Sequence, residues 1–266
     1  MSAPAYEHLL VERGDDGVVV VTLAYPDRRN AMSAPMTASW GRLMAELRYD
    51  RSVRCVVVTG QGGAFCSGGD TGWIGSEPEA SVDALRGRML PFYRTWLSVM
   101  DLEVPTMAAI NGAAIGAGMC LALACDLRYA TQDAQLAVPF TSLGMHAGMA
   151  ATWLLPQVAG LAVARELLFT GRVVTGTEAV ALGLVNRAFP ADVFDSEVAA
   201  RAASIAAKAP IATRLTKVAL ASGGHADFDA ALQWEALAQP ITLATEDLRE
   251  GLAAQRERRR PVFRGR

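Results

Sequence analysis

The chain has 266 residues, 52% of them hydrophobic and 20% charged, with a formal net charge of −2. That length allows one large domain or a core with a smaller appendage. The balanced charge excludes a general attraction to nucleic acid, and apolar runs as short as Val18-Val19-Val20-Val21 fall far below the roughly 20 residues of a membrane span. Cys55, Cys66, Cys120 and Cys125 form no CxxC pair, and His8, His146 and His225 show no HExxH spacing, so reduced thiols and no metal centre are expected. Residues 1–7 carry neither a basic start nor a following apolar stretch, which predicts no signal peptide and a cytoplasmic location. Basic charge gathers instead at 256–266.

In chain order, residues 17–23 form a β-rich run suited to a strand, and Ser33-Ala34-Pro35 supplies an N-cap and an early helical proline, predicting a helix to about residue 48. Residues 53–59 read as a buried strand that runs into a glycine-rich loop, 60–70. Segment 81–100 has helical character, but Pro91 removes a backbone donor inside it and predicts a bend or a split. A further strand at 105–110 leads into a second glycine loop, 111–118, and an apolar helix at 119–124. A strand at 127–131 follows, and then alanine-dense helical segments at about 163–169, 196–208 and 228–244. This alternation predicts an α/β chain with a helical C-terminal part, divided near Phe189-Pro190 into 1–190 and 191–266.

The pattern of strand, glycine loop and helix occurs twice, and it has a chemical reading. A glycine loop lets the main chain approach a ligand, and the first amides of a following helix point outward without partners. Two such loops offering one amide each to a single carbonyl would stabilise the oxyanion of an enolate or a tetrahedral intermediate. Two tight turns without a ligand explain the same residues.

Ordered fragments along nearly the whole chain resemble the crotonase, or enoyl-CoA hydratase/isomerase, superfamily. They include Pro26-Asp27-Arg28-Arg29-Asn30-Ala31-Met32, Ala64-Phe65-Cys66-Ser67-Gly68-Gly69-Asp70 and Asn111-Gly112-Ala113-Ala114-Ile115-Gly116-Ala117-Gly118. Cys125-Asp126-Leu127-Arg128, Phe169-Thr170-Gly171-Arg172, Gly183-Leu184-Val185-Asn186 and the tail from Arg260 to Arg266 continue the match. The resemblance implies a spiral of ββα units over 1–190, a helical trimerisation region over 191–266, and a homotrimer or dimer of trimers. It further implies an acyl-CoA thioester ligand, no cofactor beyond coenzyme A as part of the substrate, and lyase or isomerase chemistry of fatty acid metabolism. Carried over by position, the oxyanion-hole N–H groups belong to Gly69 and Ala117, with Ala64, Phe65, Ser67, Gly68, Asp70 and Gly116 around the bound thioester. Arg28 or Arg29 lies where the family approaches the coenzyme A phosphates. Phe263 and the tail arginines are placed to cover the nucleotide across a subunit contact, although a solvated basic tail fits Arg258-Arg259-Arg260 equally well.

The sequence departs from the family's hydratases at both glutamate positions, which here hold Cys120 and Phe140. Hydration needs a base for water and an acid for the α-carbon; a phenyl ring is neither, and Cys120 sits among apolar neighbours. An aromatic residue at position 140 resembles the family's malonyl-type decarboxylases, which carry a tyrosine hydroxyl there that Phe140 lacks. His146 is a candidate for proton transfer or a residue of a structural turn. Asp70 suits a loop-fixing acceptor better than a base. Trp73, Met89, Phe92, Tyr93 and Trp96 either line an acyl pocket or form core. Three readings follow: a superfamily enzyme using enolate chemistry other than two-glutamate hydration, a malonyl-type decarboxylase, or a non-catalytic acyl-CoA binder. A dinucleotide-binding dehydrogenase does not fit, because residues 112–118 have the wrong glycine order.

Overall fold

Valine runs without polar alternation suit strands buried on both faces, and they form the centre of the sheet in the computed structural model, which describes residues 6–70, 72, 75–77, 79–222 and 227–266. The larger sheet contains β1 (Leu9–Arg13), β2 (Val18–Leu23), β3 (Cys55–Gly60), β5 (Thr106–Ile110), β7 (Leu127–Thr131) and β10 (Arg187–Phe189), in that spatial order. Only the β1–β2 pair is antiparallel. On one face Cys55, Val57, Met107, Ala109 and Tyr129 pack with Phe194, Val198 and Ala202 of α6 (Ala191–Ala206). On the other, Val56, Val58, Ala108 and Ile110 join the main core with Trp40, Leu43 and Leu47 of α1 (Ala34–Tyr49). Helix α1 starts as its sequence demands: the Ser33 side chain accepts the Met36 N–H at 3.3 Å.

A second, four-stranded sheet holds β4 (Ala64–Cys66), β6 (Ala113–Ile115), β8 (Gln135–Ala137) and β9 (Val174–Thr175), in that spatial order. Each of β3, β5 and β7 is thus followed by a short partner in the other sheet and then by a helix: α2 (Val82–Leu97), α3 (Ala117–Ala124) and α4 (Ala151–Thr170) respectively. This is the expected spiral of ββα units. The segments read from sequence as uniform glycine loops therefore contain β4 and β6, which at three residues each are too short to show a period.

Three helices differ from expectation. Helix α2 continues through Pro91 and ends in a 3₁₀ turn, Ser98–Asp101. Helix α3 begins at Ala117 rather than 119, and α4 is far longer than 163–169, with a non-helical break at Gly160 (φ 78°, ψ 161°). Beyond α5 (Gly176–Ala181) and β10, the described chain is helical: α6, α7 (Pro210–Ser222), α8 (Phe228–Leu243) and α9 (Glu246–Glu257). Lys217 ties α7 to the sheet, donating to the Val104 carbonyl at 2.8 Å and pairing with Asp126 at 2.8 Å. Helix α8 has no buried residue, and Phe228, Leu232, Leu237 and Ile241 are exposed on it. Among the described residues no helix is long and apolar enough to cross a membrane.

Candidate active site

The first glycine loop is held from below by a residue that sequence reading passed over. Asn30 is fully buried; its side-chain oxygen accepts the Tyr25 N–H at 2.9 Å, and its amide donates to the Gln61 and Ala64 carbonyls at 3.0 and 2.8 Å. Arg29 and Asn30 both have left-handed backbones, with φ of 51° and 56°, a conformation that costs non-glycine residues energy unless their surroundings impose it. This turn then carries the loop: Ser67 N–H donates to the Arg29 carbonyl at 3.0 Å, and Met32 N–H to the Gly68 carbonyl at 2.8 Å.

The two glycine loops meet at Gly68. Its φ is +95°, and a Cβ placed on it would lie 2.7 Å from the Ile115 carbonyl oxygen and 3.2 Å from the Ala117 nitrogen, so both conformation and space require glycine. Gly69 therefore follows directly on the residue seated against Ala117. On the second loop, Gly116 N–H is fixed to the Ala137 carbonyl at 2.8 Å, and the first helical bond of α3 runs from Cys120 N–H to the Gly116 carbonyl at 3.0 Å. Because α3 begins at Ala117, the Ala117 N–H belongs to the orphan first turn, at the positive end of the helix dipole. Among the described residues, neither the Gly69 nor the Ala117 N–H meets a protein acceptor.

Both residues line a cavity of about 130 Å³. Its walls are mostly apolar, with Met89, Phe92, Phe140, Leu143 and Met149 among them, and polar side chains come from Ser67, Tyr93 and His146. The Ser67 hydroxyl donates to the Arg28 carbonyl at 3.2 Å. His146 Nδ1 lies 2.8 Å from the Ala147 carbonyl on an exposed turn; since a carbonyl only accepts, Nδ1 carries a proton there. The Phe140 ring stands beside the second loop, 4.0 Å from where a Cβ on Gly116 would be. Cys120 does not reach the cavity: it is fully buried, its thiol is directed to the Gly148 carbonyl at 3.7 Å, and burial pushes the thiol up to about 12. It therefore stays protonated and unreactive at neutral pH.

The remaining sequence candidates are distributed more widely. Trp96 is core, fully buried and stacked on Trp40 with centroids 5.0 Å apart, which separates it from Met89, Phe92 and Tyr93 on the same helix. Phe65 is likewise fully buried, while Ala64 and Arg29 border a neighbouring hollow of about 550 Å³. Asp70 Oδ1 accepts the Gly72 N–H at 2.8 Å, the geometry of an Asx turn. Trp73 lies outside the described residues. Within one chain Phe263 is distant from the cavity: its carbonyl accepts from Arg54 at 2.8 Å and its ring lies against Gly251. Of the tail arginines, Arg259 is engaged by Glu250 at 2.8 Å. Arg128 and Asn186, from two of the motif fragments, serve the scaffold: Arg128 donates to the Leu184 carbonyl at 2.9 Å and its N–H to Asn186 Oδ1 at 2.8 Å.

Residues 13–266 match the enoyl-CoA hydratase/isomerase family. The human protein named enoyl-CoA hydratase domain-containing protein 2, mitochondrial, is 37% identical over 256 residues, covering 94% of this chain and 87% of that one. Among solved structures, an enoyl-CoA hydratase from Bacillus anthracis superposes with a TM-score of 0.91 at 32% identity, covering 98% of this chain and 100% of the other. An enoyl-CoA hydratase from Mycobacterium smegmatis gives a TM-score of 0.89 at 31% identity, covering 97% and 99%. On this combined agreement of sequence and fold, the chain belongs to the enoyl-CoA hydratase/isomerase family.

Proposed function

We propose that the protein holds an acyl-coenzyme A thioester with its carbonyl oxygen on the Gly69 and Ala117 N–H groups and stabilises the thioester enolate there, as a lyase or isomerase of fatty acid metabolism. The observation that carries this reading is the seating of Gly68 against Ile115 and Ala117, beside one small apolar cavity lined by two amides that meet no acceptor among the described residues. Such donors favour developing negative charge on oxygen because they are already oriented before reaction. Ser67, Gly68 and Gly116 hold the shape of the hole, with Ala64, Phe65 and Asp70 supporting it. Arg28 and Arg29 suit the coenzyme A phosphates, and Phe263 of a neighbouring subunit would cover the nucleotide. The apolar face of α8 suits a homotrimer or a dimer of trimers, and the assembly would work in the cytoplasm. Coenzyme A enters as part of the substrate.

The reaction is not efficient two-glutamate hydration, since Cys120 is a buried thiol and Phe140 a phenyl ring. Phe140 beside Gly116 favours a second reading, decarboxylation of a malonyl-type thioester. There the electrons of the breaking carbon–carboxylate bond pass into the enolate, carbon dioxide leaves, and the α-carbon takes up one proton, so no base need remove a carbon-bound proton. His146 would relay that proton. Calorimetry with butyryl-CoA, followed by assays with crotonyl-, malonyl- and methylmalonyl-CoA, tests both. Binding with turnover of one of them supports an enzyme, binding without any turnover makes the protein a non-catalytic acyl-CoA binder, and no binding at millimolar ligand overturns the reading.

A further inference from the structure

A second hollow lies at the other end of the sheet from the glycine loops. Arg54 immediately precedes β3, whose six residues run into the first glycine loop, so about 20 Å of strand separates the two ends. The hollow measures about 920 Å³ and is walled by the β1–β2 turn, the segment between α1 and β3, the end of α6, the first turns of α7 and the C-terminal tail. Four arginines from three of these segments line it: Arg51, Arg54, Arg214 and Arg264. Arg54 bridges α6 to the tail, donating to the Ala206 and Phe263 carbonyls at 3.2 and 2.8 Å. Arg214 donates to the Arg51 and Val53 carbonyls at 3.3 and 3.0 Å. Those bonds fix two cations in place without neutralising them. Among the described residues none of the four arginines is ion-paired with a carboxylate, and the Arg51 and Arg264 side chains meet no hydrogen-bond partner.

Gathering like charges around one space costs free energy unless an anion sits among them. Burial lowers the Arg214 guanidinium below its ordinary value; the Arg51 and Arg54 charges lower it further, against the opposite pull of Glu103 and Asp50. Asp15 and Asp16 share the wall, but Asp16 Oδ1 is taken by the Val18 N–H at 3.0 Å. The thirteen-residue helix α7 presents its first turn to the same space, which adds the positive end of its dipole. The chemistry of the arginines names the ligand class. Their planar forks match pairs of phosphate oxygens, and four cations around a space this large suit two linked phosphates better than a lone carboxylate.

We propose that this hollow is an anion site, separate from the acyl cavity, that takes a diphosphate-bearing ligand on Arg51, Arg54, Arg214 and Arg264. It does not depend on the thioester reading. Calorimetry of the full-length protein with inorganic pyrophosphate should show binding that weakens as salt is added. Arg51→Glu replaces a side chain that braces nothing in the fold, so its thermal midpoint should match that of the unsubstituted protein. Its pyrophosphate affinity should fall about tenfold or more, the worth of a charged hydrogen bond, while its butyryl-CoA affinity stays within about two-fold, as expected of distant sites. No binding at millimolar pyrophosphate, or binding indifferent to Arg51→Glu, overturns the proposal and leaves the thioester reading standing. A parallel loss of butyryl-CoA affinity in Arg51→Glu also overturns it, because the hollow would then belong to the thioester site of a neighbouring subunit.

Discussion

The cavity has two halves built on different principles. One is main chain: Gly68, Gly69, Gly116 and Ala117, positioned by strand ends, a helix start and the Asn30 latch. The other is side chain: Tyr93, Phe140, His146 and, behind them, Cys120. The first half depends on backbone placement, so many residues can vary around it provided the chain path survives. The second depends on individual functional groups, and a single replacement changes which reactions are open. Conservation of fold and divergence of chemistry can therefore coexist at one site.

The largest expected effect comes from rewriting the side-chain half while leaving the main-chain half intact. Cys120→Glu combined with Phe140→Glu should raise crotonyl-CoA hydration by about 10²- to 10⁴-fold, the usual worth of positioned acid–base groups. The structure also predicts a cost. Position 120 is fully buried against the Gly148 carbonyl, so a carboxylate there must displace the loop or take up a proton. A folded double variant with unchanged background hydration would show that the two halves no longer share the register hydration needs.

Breaking the main-chain half should have a smaller, structural signature. Gly68→Ala forces a side chain into a φ of +95° and to within 2.7 Å of the Ile115 carbonyl oxygen, which should cost about 1–3 kcal/mol and lower the thermal midpoint by several degrees. Butyryl-CoA affinity should fall with it, because relief of the clash moves Gly69 away from Ala117. Thermal unfolding and calorimetry on the same sample check both. If stability drops while affinity is unchanged, the two amides do not act on a common ligand.

How far each half can be read from sequence follows the same division. The valine runs of β2 and β3 are legible because strands covered on both faces appear as continuous apolar segments, and β7 has the bounds expected of it, 127–131. The two glycine loops are legible because strand, glycine loop and helix start form a local pattern, whereas the choice of Gly69 and Ala117 within them comes from the family resemblance, and β4 and β6 are hidden inside those loops. The side-chain half is harder. Tyr93 and Trp96 lie on one helix three residues apart, and sequence groups them together, yet Trp96 stacks on Trp40 in the core while Tyr93 meets Gly148. Gly148 carries no local signature, and the fragment that contains Asn30 does not mark it as a latch. Their importance comes from what approaches them from 55 and 34 residues away, and long-range contacts of that kind are set by tertiary packing rather than by periodicity.

The smallest expected effect concerns reactivity behind the cavity. Cys55, Cys66, Cys120 and Cys125 are all buried, and desolvation pushes each thiol up to about 12. At pH 8 the thiolate fraction of each is then about 10⁻⁴, and a thiol reagent should label none of them in the native protein and all of them after unfolding. The pH dependence has a definite sign. An acid whose folded value is raised contributes its full stability below the unfolded value, near pH 8.5, and loses it as pH rises toward 12, because the unfolded thiols ionise while the folded ones resist. Unfolding monitored from pH 7 to 10 should therefore show declining stability above about pH 8.5, and Cys120→Ser should weaken that decline. Rapid native labelling at Cys120 alone would mean that the peptide unit at Gly148, whose carbonyl receives that thiol, opens readily beside the cavity.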